Sequence, residues 1–168
     1  MLRKTLAALL LGSAAINTVQ AADASLTIDI PALQVAEYHR PYIAAWLMPE
    51  GGREVTNLAL WYQMDDKREG EKWLKDLRQW WRRSGRSLEM PVDGFTGATR
   101  APGEHRIALG DAFSALAPGE YTLYVEASRE VGGRELLRLP FSWPVSGAAT
   151  LEARGDSELG GVVLELAP

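Results

Sequence analysis

The chain has 168 residues, of which 46% are hydrophobic and 24% are charged, a composition typical of one globular domain and unlike fibrous or low-complexity proteins. It contains no cysteine, which excludes disulfides, cysteine-ligated metal sites, thiol catalysis and a lipid-anchored lipobox. The net charge of −4 disfavours non-specific binding to nucleic acid.

The first 21 residues have the parts of a secretory signal peptide. Arg3 and Lys4 precede an apolar run over residues 6–16, and Val19 and Ala21 supply the small side chains of a cleavage site. The run is shorter than the roughly 20 apolar residues that span a bilayer. We therefore predict cleavage after Ala21 and a single mature domain over residues 22–168 that does not span the membrane and, in a Gram-negative cell, lies in the periplasm.

Short segments of alternating apolar and polar residues recur along the mature chain, separated by turns that contain glycine and proline. In the first of them, Leu26, Ile28 and Ile30 share one face. The predicted strands cover residues 24–30, 42–48, 55–63, 104–109, 121–128, 135–143, 150–153 and 162–166. Seven or eight such strands predict an all-β fold, an immunoglobulin-like antiparallel β-sandwich.

One segment, residues 70–84, has helical periodicity instead. Its apolar side chains recur at the spacing of one helix face, and charged residues occupy the remaining positions. This pattern predicts an inserted amphipathic helix that closes an open side of the sandwich. The side chains predicted to face inward are Trp73, Leu74, Leu77, Trp80 and Trp81.

Residues 90–103 are rich in glycine and proline and predict a long loop. Within it, Asp93-Gly94-Phe95-Thr96-Gly97-Ala98-Thr99 matches the pattern Asp-x-x-(Ser/Thr)-Gly-Ala-(Ser/Thr). The pattern resembles the covalent flavinylation motif of FMN-binding domains in extracytoplasmic subunits of bacterial redox pumps. That resemblance implies that Thr99 receives FMN through a phosphoester bond, transferred from FAD by a magnesium-dependent FMN transferase.

Attachment needs an accessible hydroxyl nucleophile and slim neighbours that enter another enzyme's active site. Thr99, Gly97 and Ala98 meet these needs, and Asp93 and Thr96 complete the motif. One departure is Ala101, which stands where known sites often carry a second hydroxyl residue. The alternative is a glycine-rich turn in which the Thr96 and Thr99 hydroxyls only satisfy backbone groups.

Side chains on either side of the motif are candidates for holding the flavin. Aromatic rings stack on a flat ring system, and guanidinium groups bind phosphate. We expect Trp80, Trp81 and Phe95 to stack on the isoalloxazine, and Arg100, with Arg82 or Arg83, to face the phosphate.

A second resemblance covers nearly the whole mature chain. Segments 39–46, 58–62, 72–81, 93–103 and 119–121 are similar to a family of periplasmic proteins of unknown function. Its members are typically encoded beside PepSY-type transmembrane reductases and FMN transferases, often in iron-uptake neighbourhoods. The resemblance implies an electron carrier rather than a stand-alone enzyme, with the PepSY-type membrane reductase and the FMN transferase as partners and iron reduction or uptake as the setting.

A different class of function stays open. A cofactor-free immunoglobulin-like module that docks on a membrane partner or binds a metal complex accounts for the same fold. His39 and His105 are the candidate metal ligands, but their spacing matches no metal-binding motif.

Overall fold

The computed structural model describes residues 23–65 and 69–168. The predicted signal peptide lies outside the described residues. The described part of the chain contains nine strands, and their bounds are β1 Ala24–Ile30, β2 Tyr42–Pro49, β3 Thr56–Tyr62, β4 Thr96–Ala98, β5 Gly103–Ala108, β6 Gly119–Ser128, β7 Arg134–Trp143, β8 Ala149–Arg154 and β9 Gly161–Leu166. Within the described residues, no helix is long and apolar enough to cross a membrane.

The strands form two sheets that pack face to face, which confirms the predicted all-β sandwich. The four-stranded sheet has the order β5-β1-β9-β8, and the five-stranded sheet has the order β4-β3-β2-β6-β7. All neighbouring strands are antiparallel except β3 and β4, which are parallel. The free edges nearest the flavinylation-like motif are therefore β4 in one sheet and β5 in the other.

Alternation along the strands produces the core between the sheets. Leu26, Ile28 and Ile30 of β1 are buried there, facing Leu123 and Val125 of β6. In β2, by contrast, residues 43–48 are all buried. A strand that is buried on both faces needs a second covering layer, because only one face of a sheet can contact the other sheet.

The helical segment is that second layer, which corrects the prediction that it closes an open side of the sandwich. It packs on the outer face of the five-stranded sheet, where Leu74, Leu77 and Trp80 contact Trp46 and Leu60 in a separate hydrophobic cluster.

The segment is also not one continuous helix, as was predicted. A 3₁₀ helix spans Gly70–Asp76, the helical conformation is interrupted at Leu77, and α1 spans Arg78–Arg83. The break changes which side chains face inward: Trp80 is fully buried, whereas the side chain of Trp73 is 49% exposed. A second α-helix, α2 at Gly110–Ser114, precedes β6.

Glu126 fixes this layer to the sheet. Its carboxylate lies on the outer face of β6 and is fully buried. It accepts hydrogen bonds from the backbone N–H groups of Gln79 and Trp80, at 3.0 and 2.8 Å, in the first turn of α1. Arg134 donates a third hydrogen bond to it at 2.6 Å. The carboxylate therefore caps the helix N-terminus from a neighbouring strand and fixes where α1 begins.

A second carboxylate, that of Glu135 in β7, connects the five-stranded sheet to the four-stranded sheet. Glu135 accepts hydrogen bonds from the backbone N–H groups of four successive residues in the β8–β9 connection: Asp156, Ser157, Glu158 and Leu159. Burial raises the pKa of Glu135, but the hydrogen bonds to its charged form outweigh burial, and the pKa is lowered overall.

This lowered pKa makes a pH-dependent contribution to stability. The contribution is complete above the ordinary glutamate pKa of about 4.5 and is lost as the pH falls through the lower value of the folded state. We expect Glu135→Gln to lower the urea midpoint at neutral pH and the difference from wild type to shrink below pH 4.5. Paired urea titrations across that range measure it. A difference that does not change with pH would contradict the assignment.

Candidate functional site

Three residues of the motif, Thr96–Ala98, form the edge strand β4, which corrects the loop prediction at these positions; residues 90–95 and 99–102 lie outside strands and helices, as predicted. Residues 96–98 pair in parallel with residues 60–62 of β3. The backbone N–H of Leu60 donates to the carbonyl of Phe95 at 2.7 Å, and that of Thr99 donates to the carbonyl of Tyr62 at 3.2 Å. Thr99 is therefore held at the end of a strand with a fixed backbone.

Several strands of the five-stranded sheet begin or end at the level of Thr99. Strands β3 and β4 both end there because they are parallel, while β2 begins and β6 ends there because each is antiparallel to its neighbour. Together with the 3₁₀ helix they enclose a cavity of about 400 Å³, within the range of small-molecule sites. We call it the Thr99 cavity. Its lining includes Tyr38, His39, Arg40, Tyr42, Asp65, Trp73, Thr99, Arg129 and Glu130.

Aromatic rings form much of the wall of the Thr99 cavity. Trp73 is half exposed, so a ring face is available to a ligand. Tyr42 donates its hydroxyl to the carbonyl of Gly70 at 3.0 Å, which fixes its ring, and burial raises its pKa. The cavity thus offers flat apolar surfaces beside the acceptor hydroxyl.

The buried charge of the cavity is Arg129. Its side chain is 6% exposed, and its Nε and Nη2 atoms donate to the carboxylate of Glu158 at 2.8 and 3.1 Å. Nη1 is buried and has no hydrogen-bond partner among the described residues, and the same holds for the hydroxyl of Tyr38. Burial raises the pKa of Tyr38, against the opposing effect of the Arg129 and Arg40 charges, so this phenol is neutral near neutral pH.

Four other residues of the motif region lie outside the Thr99 cavity: Phe95, Thr96, Gly97 and Arg100. They line a second cavity of about 510 Å³ between the edge strands β4 and β5, which we call the edge groove. There the Arg100 guanidinium lies 5.4 Å from the ring centroid of Trp61. Thr96 donates its hydroxyl to the carbonyl of Val92 at 2.7 Å.

Arg100 therefore does not share a cavity with the acceptor, contrary to the expectation that it faces a phosphate on Thr99. The reason is that neighbouring residues of an extended chain point to opposite sides. Of the remaining motif residues, Asp93 and Ala98 are exposed.

The tryptophans and arginines of α1 also lie apart from Thr99. Trp80 is fully buried and donates its indole N–H to Asn57 at 2.8 Å, so it has no face for a flavin and its predicted stacking role is wrong. Trp81 and Arg82 line a third cavity on the outer face of the sheet, and Arg83 is exposed on the same helix.

The two histidines occupy different cavities. In the Thr99 cavity, His39 contacts Glu37 at 3.0 Å and Glu130 at 3.5 Å. In the edge groove, the Nε2 atom of His105 lies 2.8 Å from the carbonyl oxygen of Ala101. Across residues 23–65 and 69–168, no three side chains of metal-binding type converge.

A family model described as "Predicted periplasmic protein (DUF2271)" matches residues 23–161. The chain belongs to this family. Membership places the protein in the periplasm, as the leader sequence predicts. Comparison with curated proteins and with solved structures gives no match.

Sequence reasoning missed most of the Thr99 cavity, including Tyr38, Arg40, Tyr42, Arg129 and the position of Trp73 in its wall. Tyr38 and Arg129 are 91 residues apart in the sequence and meet because Tyr42 pairs with Ser128 across β2 and β6. No local motif carries that information. The available signal was the strand register, because His39-Arg40-Pro41 directly precedes β2 and Arg129-Glu130 directly follows β6.

Proposed function

We propose that this periplasmic protein carries FMN covalently on Thr99 and relays electrons in an extracytoplasmic redox system. One observation carries the proposal: the last hydroxyl residue of the motif lies at the end of a fixed edge strand and lines a cavity with aromatic and cationic walls. In the alternative of a glycine-rich turn, the motif hydroxyls only satisfy backbone groups. Thr96 does so, but no hydrogen bond of the Thr99 hydroxyl is found among the described residues.

The residues present fit a flavin. The half-exposed ring of Trp73 and the ring of Tyr42 offer surfaces for the isoalloxazine, and Arg40 and His39 bring positive or donor groups to the same cavity. When bound, the flavin supplies the redox chemistry, and the chain orients it, shields it from water and sets its electrostatic surroundings.

The edge position of β4 suits modification by another enzyme. One side of β4 pairs with β3, and its other side is a free strand edge that can pair with a visiting chain. In the transfer, the Thr99 hydroxyl oxygen attacks the flavin-side phosphorus of FAD, the bond to AMP breaks, AMP leaves, and the hydroxyl proton passes to a base of the FMN transferase. Gly97 and Ala98 keep the approach to Thr99 open.

Intact mass tests the attachment. The exported protein is produced with and without an FMN transferase, and both samples are weighed after denaturation. We expect the co-produced protein to be heavier by one FMN less one water and to keep its yellow colour when unfolded. Equal masses for the two samples would contradict the proposal.

A third surface favours a docking function, which serves either a flavin carrier or the cofactor-free module. A groove of about 640 Å³ on the outer face of the five-stranded sheet, the basic groove, is lined by Lys75, Arg78, Gln79, Trp81, Arg82, Arg134, Leu136 and Arg138. None of these lining residues is acidic, although the chain carries a net charge of −4. Charge complementarity therefore suits an acidic protein surface, and we assign it to the PepSY-type membrane reductase.

Charge reversal tests the basic groove. We expect Arg78→Glu with Arg138→Glu to weaken binding to the purified reductase by tenfold or more at low salt, with a smaller effect at high salt. The matched control is Arg53→Glu with Arg154→Glu, which reverses the same number of charges at exposed residues outside the basic groove. Equal affinities for the two variants would contradict the docking assignment, and unchanged binding by Thr99→Ala would show that docking does not need the flavin.

A further inference from the structure

Two buried donors in the Thr99 cavity have no acceptor within the described part of the protein. Arg129 is held by Glu158 through two of its three guanidinium nitrogens, and Glu158 is itself fixed by the backbone N–H of Gly133 at 2.7 Å. The third nitrogen, Nη1, is buried and unpartnered. The two hydrogen bonds to Glu158 hold the guanidinium in place, while the N–H groups of Nη1 stay free to donate to another acceptor.

The hydroxyl of Tyr38 is the second such donor. It is also buried without a partner, and its residue lines the same cavity as Arg129. Buried donors in folded proteins are almost always satisfied by protein groups, water or a ligand. A ligand in the Thr99 cavity can supply the acceptor that these two donors lack in the protein. A guanidinium and a phenol that both donate are complementary to a carbonyl or another electron-rich acceptor atom.

We infer that Arg129 Nη1 and the Tyr38 hydroxyl form a donor pair that would hold an electron-rich acceptor atom of the flavin ring. This inference rests on the proposed attachment of FMN to Thr99. The Glu158 carboxylate balances the Arg129 charge, so the two hydrogen bonds to that atom, rather than a net positive charge, stabilise the more electron-rich reduced state relative to the oxidised state. The pair therefore raises the midpoint potential of the bound flavin. The carboxylate of Glu130 at the same cavity opposes this effect weakly, because it is 58% exposed and faces His39.

Tyr38→Phe is the sharpest test, because the lost hydroxyl has no partner in the protein. We expect the melting temperature of the unmodified protein to stay the same or rise slightly. Flavinylation should then raise the melting temperature by less than it does in wild type. The midpoint potential should become more negative by up to about 30 mV, the equivalent of a tenfold change for a two-electron couple.

Tyr121→Phe is the matched control. It removes a phenol hydroxyl that lies outside the Thr99 cavity and donates to the carbonyl of Ala117 at 2.8 Å. We expect it to destabilise the unmodified and modified proteins equally and to leave the potential unchanged.

Mass is read first in every sample, which separates the two proposals. If wild-type protein gains no FMN, the proposed function fails and the donor pair fails with it. If FMN is attached but Tyr38→Phe matches wild type in both the flavin-dependent melting shift and the potential, the donor pair alone is wrong.

Discussion

Thr99→Ala is expected to abolish covalent FMN completely. The substitution removes the attacking oxygen, and no neighbouring hydroxyl occupies the same place at the end of β4. The backbone hydrogen bond from Thr99 to Tyr62 does not use the side chain, so the variant keeps β4 paired with β3. Flavin fluorescence in a denaturing gel, together with intact mass, measures the result.

Two motif variants serve as controls. Thr96→Ala should reduce modification without abolishing it, because the Thr96 hydroxyl donates to Val92 and supports the turn rather than the acceptor. Asp93→Ala should impair modification while leaving the acceptor in place. Fluorescence that survives Thr99→Ala would overturn the assignment of the acceptor.

Trp80→Ala is expected to lower the free energy of unfolding by about 3–5 kcal/mol. Its side chain is fully buried between the outer face of the sheet and the helical segment. The change also leaves the side-chain amide oxygen of Asn57 without its indole donor. It opens space beside Gly85, which now packs so closely on the indole ring that a Cβ there would collide with it. Urea unfolding followed by circular dichroism measures the loss.

Trp73→Ala is the matched control on the same segment. Because Trp73 is half exposed, its loss should change stability by much less than that of Trp80. In flavinylated protein, however, it should alter flavin fluorescence, since Trp73 lines the Thr99 cavity. A similar loss of stability in both variants would contradict the assignment of Trp80 to the hydrophobic core and of Trp73 to the cavity wall.

The strands were predictable because alternation reports directly on a half-buried sheet. Strand β1 begins and ends where the pattern of Leu26, Ile28 and Ile30 places it. Strand β4 was missed because a three-residue strand with glycine at its centre carries no alternation, and its pairing with β3 depends on a distant segment. The position of the helical layer was also not predictable, because the amphipathic pattern shows which face of the segment is buried but not which surface of the sandwich it packs on.

For the site, the sequence predicted the acceptor but not the residues around it. The motif is local, so Thr99 could be singled out from seven consecutive residues. Trp73 and Trp80 were both predicted to face inward on one continuous helix, but the helix is interrupted at Leu77, and Trp73 is half exposed while Trp80 is fully buried. Arg100 was assigned to the phosphate because it follows Thr99, whereas strand geometry places consecutive side chains on opposite sides.

Fragmentation of one tryptic peptide tests the central proposal most directly. Cleavage after Arg86 and Arg100 releases residues 87–100, which contain three hydroxyl residues, Ser87, Thr96 and Thr99. In protein co-produced with an FMN transferase, we expect this peptide to carry one FMN less one water, and the fragment ions to place it on Thr99. An unmodified peptide, or FMN on Ser87 or Thr96, would contradict the account.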